Sequence, residues 1–185
     1  MPKRMTIWAT ALLIVVLATP LPTLAQTKSP CEGIIPKGLA QYLNDKFPTF
    51  RPKLLSDLDR DERRLWSETH PRACPGFAAG HFQSSSKLSH ALLLVPQSHP
   101  TGGYKLIVIT AAAEDGFHSE ILESNDTGSN SGMVIARVSP GKQSAFEGSK
   151  TIHLGLDSIS VQWLEKAAVL YYWSKGKFRT LNTSD

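Results

Sequence analysis

The chain has 185 residues, 41% of them hydrophobic and 19% charged, with 20 Lys+Arg against 16 Asp+Glu. That balance excludes a disordered polyelectrolyte, and the length suits one domain. No run reaches the ~18 uninterrupted apolar residues of a membrane span, and no heptad or period of about 20–50 residues points to a coiled coil or solenoid.

The first segment reads as an export signal. Lys3 and Arg4 supply a positive start, residues 7–18 are mostly apolar, and Pro20 and Pro22 break any helix. Thr23-Leu24-Ala25 ends in a small residue, so cleavage is expected before Gln26. An uncleaved anchor would need a longer apolar run without these prolines. A lipoprotein signal would need a cysteine directly after a small residue, but Cys31 follows Lys28-Ser29-Pro30. The expected organisation is a signal peptide over 1–25, a flexible leader over 26–35 and a single globular domain over 36–185. The expected location is secreted or periplasmic, with no stable membrane span after processing. Losing Lys3 and Arg4 lowers the formal charge from +4 to +2. The densest basic stretch, Arg60-Asp61-Glu62-Arg63-Arg64, is interleaved with acids. It reads as a solvated helix face, so no nucleic-acid partner is expected.

Export makes the two cysteines, Cys31 and Cys74, a disulfide candidate. The bridge would close a loop of about 44 residues, which the chain-entropy model values at roughly 4 kcal/mol. No CxxC pattern supports a redox thiol, and two cysteines alone are too few for a metal site.

Residues 36–47 read as a short helix, with Pro36 in its first turn and Leu39, Tyr42, Leu43 and Phe47 at helical spacing. Pro48 and Pro52 mark an extended connector. A second helix is expected over 56–69, with Ser56 as N-cap, acids near the positive end of its dipole, and a buried stripe of Leu58, Leu65 and Trp66. After Pro75-Gly76 the pattern changes to strands over 91–95, 104–111, 117–122, 133–138, 151–154, 159–163, 167–173 and 178–181. The polar stretch 123–132 reads as a long flexible turn, and Ser174-Lys175-Gly176-Lys177 as a hairpin turn. In 167–173 both alternating faces are apolar, which suits a central strand covered on both sides. A helix across 158–172 is the rival reading. The expected fold is α+β, two N-terminal helices packed on a mostly antiparallel sheet of about six to eight strands.

The segment Gly80-His81-Phe82-Gln83-Ser84-Ser85-Ser86-Lys87-Leu88-Ser89-His90, running into an apolar strand, resembles the calcium loop of secreted FG-GAP/VCBS-type repeats. Cys74-Pro75-Gly76-Phe77 and the stretch from Tyr171 to Phe178 are similar to small exported bacterial proteins. The resemblance implies strand–loop–strand geometry. It covers about fifteen residues once, and a propeller needs several copies. Positions that would carry carboxylates hold His81, Ser85 and Ser89, with Gln83 in the Asn-like place. Calcium wants six to eight oxygens, several of them charged. No calcium and no other cofactor are therefore expected.

Other constellations are sparse. His118 and Glu120 alternate on one strand face, and His153 is the available third ligand for a zinc ion. His81, Ser85, Ser89 and His90 form a weak candidate site in which a serine could meet a histidine. No Gly-x-Ser-x-Gly elbow and no phosphate-binding glycine loop is present. Trp163, Tyr171, Tyr172, Trp173 and Phe178 concentrate near the C-terminus, for core packing or as a glycan or peptide platform. The expected function is an exported, non-enzymatic domain that binds a protein, peptide or envelope glycan. The alternative is a small secreted hydrolase near the His81–His90 serine loop. The histidines discriminate: convergence of two or more on an acid in one pocket favours the enzyme.

Overall fold

The computed structural model describes residues 29–112, 116–148 and 150–184. The expected signal peptide, 1–25, lies outside the described residues. The described residues form two helices, α1 (Lys37–Lys46) and α2 (Arg60–Thr69). The described residues also form eleven strands: β1 (Phe50–Pro52), β2 (Phe77–Gly80), β3 (Ser89–Pro96), β4 (Gly102–Ala111), β5 (Phe117–Ser129), β6 (Met133–Val138), β7 (Gly141–Ser144), β8 (Thr151–Leu154), β9 (Ser158–Trp163), β10 (Ala167–Ser174) and β11 (Lys177–Ser184). The helices sit inside the chain rather than at its N-terminus, and the strands exceed the six to eight expected.

Every ladder is antiparallel. The first sheet has the order β1-β3-β4-β5, with β2 also on β3; the second has the order β11-β10-β9-β6; β7 and β8 form a separate hairpin. The two larger sheets face each other across a core that includes Ala91, Leu93, Leu106, Val108, Ile135, Ile159 and Val161. α1 covers the outer face of the first sheet with Leu39 and Leu43 against Leu92, Leu94, Ile107 and Ile109. α2 covers the second, with Trp66 against Val134 and Ala136. Strand alternation explains this layering, since Leu93 points inward and Leu92 and Leu94 outward.

The helices were expected on one face, but they occupy opposite sides of the sandwich. The segment between them accounts for this. Phe50–Pro52 pairs with β3 as an edge strand, so the chain crosses the first sheet before α2 begins. The expected N-cap, Ser56, lies instead in a 3-10 turn over Leu55–Asp57. Asp59 caps α2, accepting from Asp61 N and Glu62 N at 2.9 and 2.8 Å, while Glu62 accepts from Asp59 N at 3.1 Å. Burial works against ionisation of Asp57, but Arg51, bonded at 2.6 and 2.7 Å, and Leu54 N–H outweigh it and hold its carboxyl below its ordinary range.

Cys31 and Cys74 are joined by a disulfide, which is consistent with an oxidising, extracytoplasmic environment. Ile34 and Ile35, between Cys31 and α1, pack against the cluster under α1. No helix among the described residues is long and apolar enough to cross a membrane. Segment 158–172 is two strands, not a helix. The β10–β11 turn has Lys175 at φ 53° and Gly176 at φ 77°, the left-handed pair of a two-residue hairpin. The stretch 123–132 is not simply a turn, because β5 runs on to Ser129. Residues 124–127 and 129 are exposed along the sheet's edge and so carry no apolar signature. Lys105 Nζ braces them by donating to Ser124 Oγ at 2.9 Å and Asp126 Oδ1 at 3.1 Å.

Candidate functional site

The serine loop joins β2 to β3, which pair antiparallel. Its residues do not converge. Ser89 and His90 are neighbours on β3 and point to opposite faces. Ser89 is fully buried, and its Oγ has no hydrogen-bond partner. His90 lies on the outer face, 5.7 Å from the Phe77 ring. His81 donates its main-chain N–H to Asp157 Oδ2 at 2.8 Å, while its Nδ1 lies 3.3 Å from Lys87 O. Ser85 is exposed and lines a cavity of about 260 Å³ with His81 and Asp157. The loop is held by Phe82, fully buried in the core, and by Gln83, which donates to Glu120 Oε2 at 3.1 Å. Glu120 is thereby occupied, while His118 is exposed on β5 and His153 is exposed on the β7–β8 hairpin. Among the described residues no group of three or more His, Cys, Asp or Glu is placed to hold a metal.

A larger feature lies where the two sheets nearly meet. β2 ends the first sheet on one side and β6 ends the second, and the two strands form no ladder with each other. One main-chain bond, Ile135 N to Pro75 O at 2.8 Å, joins them at one end. Gly76 permits the approach of this corner to β1: a Cβ there would lie 2.4 Å from Lys53 O. Beyond that bond a cleft of about 570 Å³ opens. Ile34, Phe77 and Leu88 give it apolar walls, and Ala79 and Ala136 give it narrow ones. Ala78 and Ile135 belong to the inter-sheet core and close its bottom. Its polar lining is His70, Arg72, His90 and Arg137, with no acid among them.

His90 Nδ1 is buried there without a hydrogen-bond partner. Burial lowers the pKa of this ring. A buried N–H without an acceptor is costlier than a buried lone pair without a donor. On that ground the neutral ring is assigned the tautomer protonated on Nε2. His70 ends α2, stacked on Trp66 with centroids 4.1 Å apart and with Nδ1 2.9 Å from Thr69 Oγ1. Burial lowers its pKa as well. His70 also borders a second cavity of about 570 Å³ between α2 and the β9–β10 turn. There the charged lining residues are Glu165 and Lys166, adjacent and opposite in sign, so that cavity has no net preference for an ion.

Two polar clusters escaped sequence reasoning. Lys53 is fully buried and donates to Asn130 Oδ1 at 2.8 Å and to Asn130 O. Burial brings its pKa down from 10.5 to about 8, against the opposing pull of Glu62 and Asp57. The folded chain thus sheds this proton before the unfolded chain does. Below pH ~8 both states hold it and the burial penalty stands in full; stability then rises with pH towards 10.5. Denaturation midpoints should climb between about pH 8 and 10 in the wild type and stay level in Lys53→Met. A level wild-type profile would refute the assignment. The second cluster is Glu123, whose carboxylate accepts from both Tyr104 and Tyr171. Burial first, and the Glu123 hydrogen bond second, raise both phenol pKa values. The remaining C-terminal aromatics mostly pack: Trp163 and Phe178 against the inter-sheet core, Tyr172 under the β7–β8 hairpin.

No family model, curated protein or solved structure matches the chain.

Proposed function

We propose that this chain is an exported, non-enzymatic domain that binds a protein or peptide partner in the cleft between β2 and β6. The observation that carries the reading is the cleft itself. It combines an apolar lining, two arginines without a lining acid, and a histidine whose buried Nδ1 is orphaned. Polar groups are seldom left in this way in a purely structural corner. The dispersal of His81, His90, His118 and His153 over separate elements argues in the same direction.

The hydrolase reading keeps one observation in its favour, the shared cavity of His81, Ser85 and Asp157. Its weakness is that Asp157 holds the main chain of His81 rather than its ring. A triad needs the acid on the imidazole. On this reading the serine loop is a connector between β2 and β3.

Capture from an envelope extract tests the reading when wild type is compared with Leu88→Asp. Leu88 is 50% exposed, so the substitution charges the cleft mouth without disturbing a core. Loss of the captured partner with Leu88→Asp, but not with His118→Ala, is the expected result. Equal capture by all three, or activated-ester turnover that His81→Ala abolishes, would overturn it. Export itself predicts an intact mass beginning at Gln26. Recovery of the full-length chain would contradict that.

A further inference from the structure

We infer that the cleft takes an extended peptide segment carrying a carboxylate beside a small or branched apolar side chain. This rests on the cleft being the binding surface. Three features of the cleft define the occupant.

The first is main chain. Just before β2, Gly76 O accepts from Leu93 N of β3 at 3.1 Å. The antiparallel alternation then turns the main-chain groups of Ala79 away from β3, and Ile135 N, bonded to Pro75 O, marks the same outward set on β6. Ala79 and Arg137 therefore face the cleft with N–H and C=O groups that belong to no ladder on that side. A peptide's amides can pair with such an edge, whereas an acyl chain has nothing to offer it.

The second is steric. Ala79 and Ala136 project one methyl each, so a backbone can approach closely, and Phe77 and Leu88 leave an apolar recess for a side chain.

The third is charge. Arg72 is exposed, and Arg137 keeps 53% of its side chain exposed, with Asp157 Oδ2 4.0 Å away from its nearest nitrogen. That contact is a long ion pair without a hydrogen bond, so Asp157 offsets part of the Arg137 charge while the guanidinium N–H donors are left for a second carboxylate.

The experiment is fluorescence anisotropy with the secreted protein and two labelled peptides. One alternates valine and serine around a central aspartate; the other has asparagine in its place. The aspartate peptide should bind about tenfold more tightly, the scale of one charge-assisted hydrogen bond. Arg137→Gln or Arg72→Gln should remove that advantage and leave the asparagine peptide's affinity unchanged. Equal affinities, or laurate binding in the cleft while both peptides fail, would overturn the inference. If both peptides fail but Leu88→Asp still abolishes partner capture, the peptide class is wrong and the cleft remains the binding surface. If capture also survives Leu88→Asp, the reading of the cleft itself is wrong.

Discussion

A Cys31→Ser, Cys74→Ser double variant should melt roughly 4–16 °C below the wild type and keep its strand signal. The half-cystines are 43 residues apart and enclose α1, β1 and α2. Cross-linking acts mainly on the unfolded chain, whose freedom over that loop it removes, at roughly 2–4 kcal/mol. At this chain length each kcal/mol moves the melting temperature by about 2–4 °C. The sheets should survive because their ladders do not pass through the bridge. Cys74 sits just before β2, however, and Cys31 anchors the segment that brings Ile34 to the cleft. The double variant should therefore lose affinity for a cleft partner even where it remains folded. Two free thiols in the denatured, unreduced wild type, or coincident melts, would show that the cysteines are not a structural pair.

Much of the sheet was legible because its core strands carry their own signature. Residues 104–111 are rich in β-branched side chains and pair on both sides, and 167–173 carry apolar side chains on both faces because β10 packs on the inter-sheet core on one face and under a hairpin on the other. The strands that escaped notice lack that pattern for physical reasons. β1 is three residues flanked by turns, β2 is built from small residues, and β7 is polar and half solvent-facing. Beyond Glu123, β5 bonds through its backbone while most of its side chains face water. Helix placement was misread for a related reason: nothing local in Phe50–Pro52 says that it will cross to β3.

The candidate site was less legible still. Each residue of the serine loop was visible, but the direction of each was not. Ser89 and His90 are consecutive, so once both lie in β3 the pleat sends them to opposite faces. The cleft draws on five separate stretches of chain, from Ile34 to Arg137. None of them carries a motif, and the orphaned Nδ1 of His90 exists only once the strands are assembled.

Glu123→Ala should cost roughly 2–4 kcal/mol, because it strands two buried hydroxyls at once. Tyr104 and Tyr171 are 5% and 8% exposed, and the Glu123 carboxylate is the acceptor of both. The three residues come from β4, β5 and β10, so the cluster ties the first sheet to the second. It does so on the side opposite the β2–β6 cleft, since β5 and β2 lie at opposite edges of the first sheet. The sandwich is thus fastened on one side by a carboxylate and two phenols, and on the other by the Pro75–Ile135 corner. Glu123→Gln, which retains one acceptor oxygen, should fall between wild type and alanine. In a Tyr104→Phe, Tyr171→Phe background the hydroxyls are already gone, and Glu123→Ala should then cost little; that non-additivity separates the clamp from a general loss of packing. The pH dependence has a defined sign. Both phenols hold their protons more tightly when folded, so the contribution is present below their ordinary value of 10.0 and is lost as pH rises above it. The gap in melting temperature between wild type and Glu123→Ala at neutral pH should therefore narrow as pH rises above 10. An alanine variant that melts with the wild type at neutral pH would show that the two tyrosines find water instead and that the sheets are held by their apolar core alone.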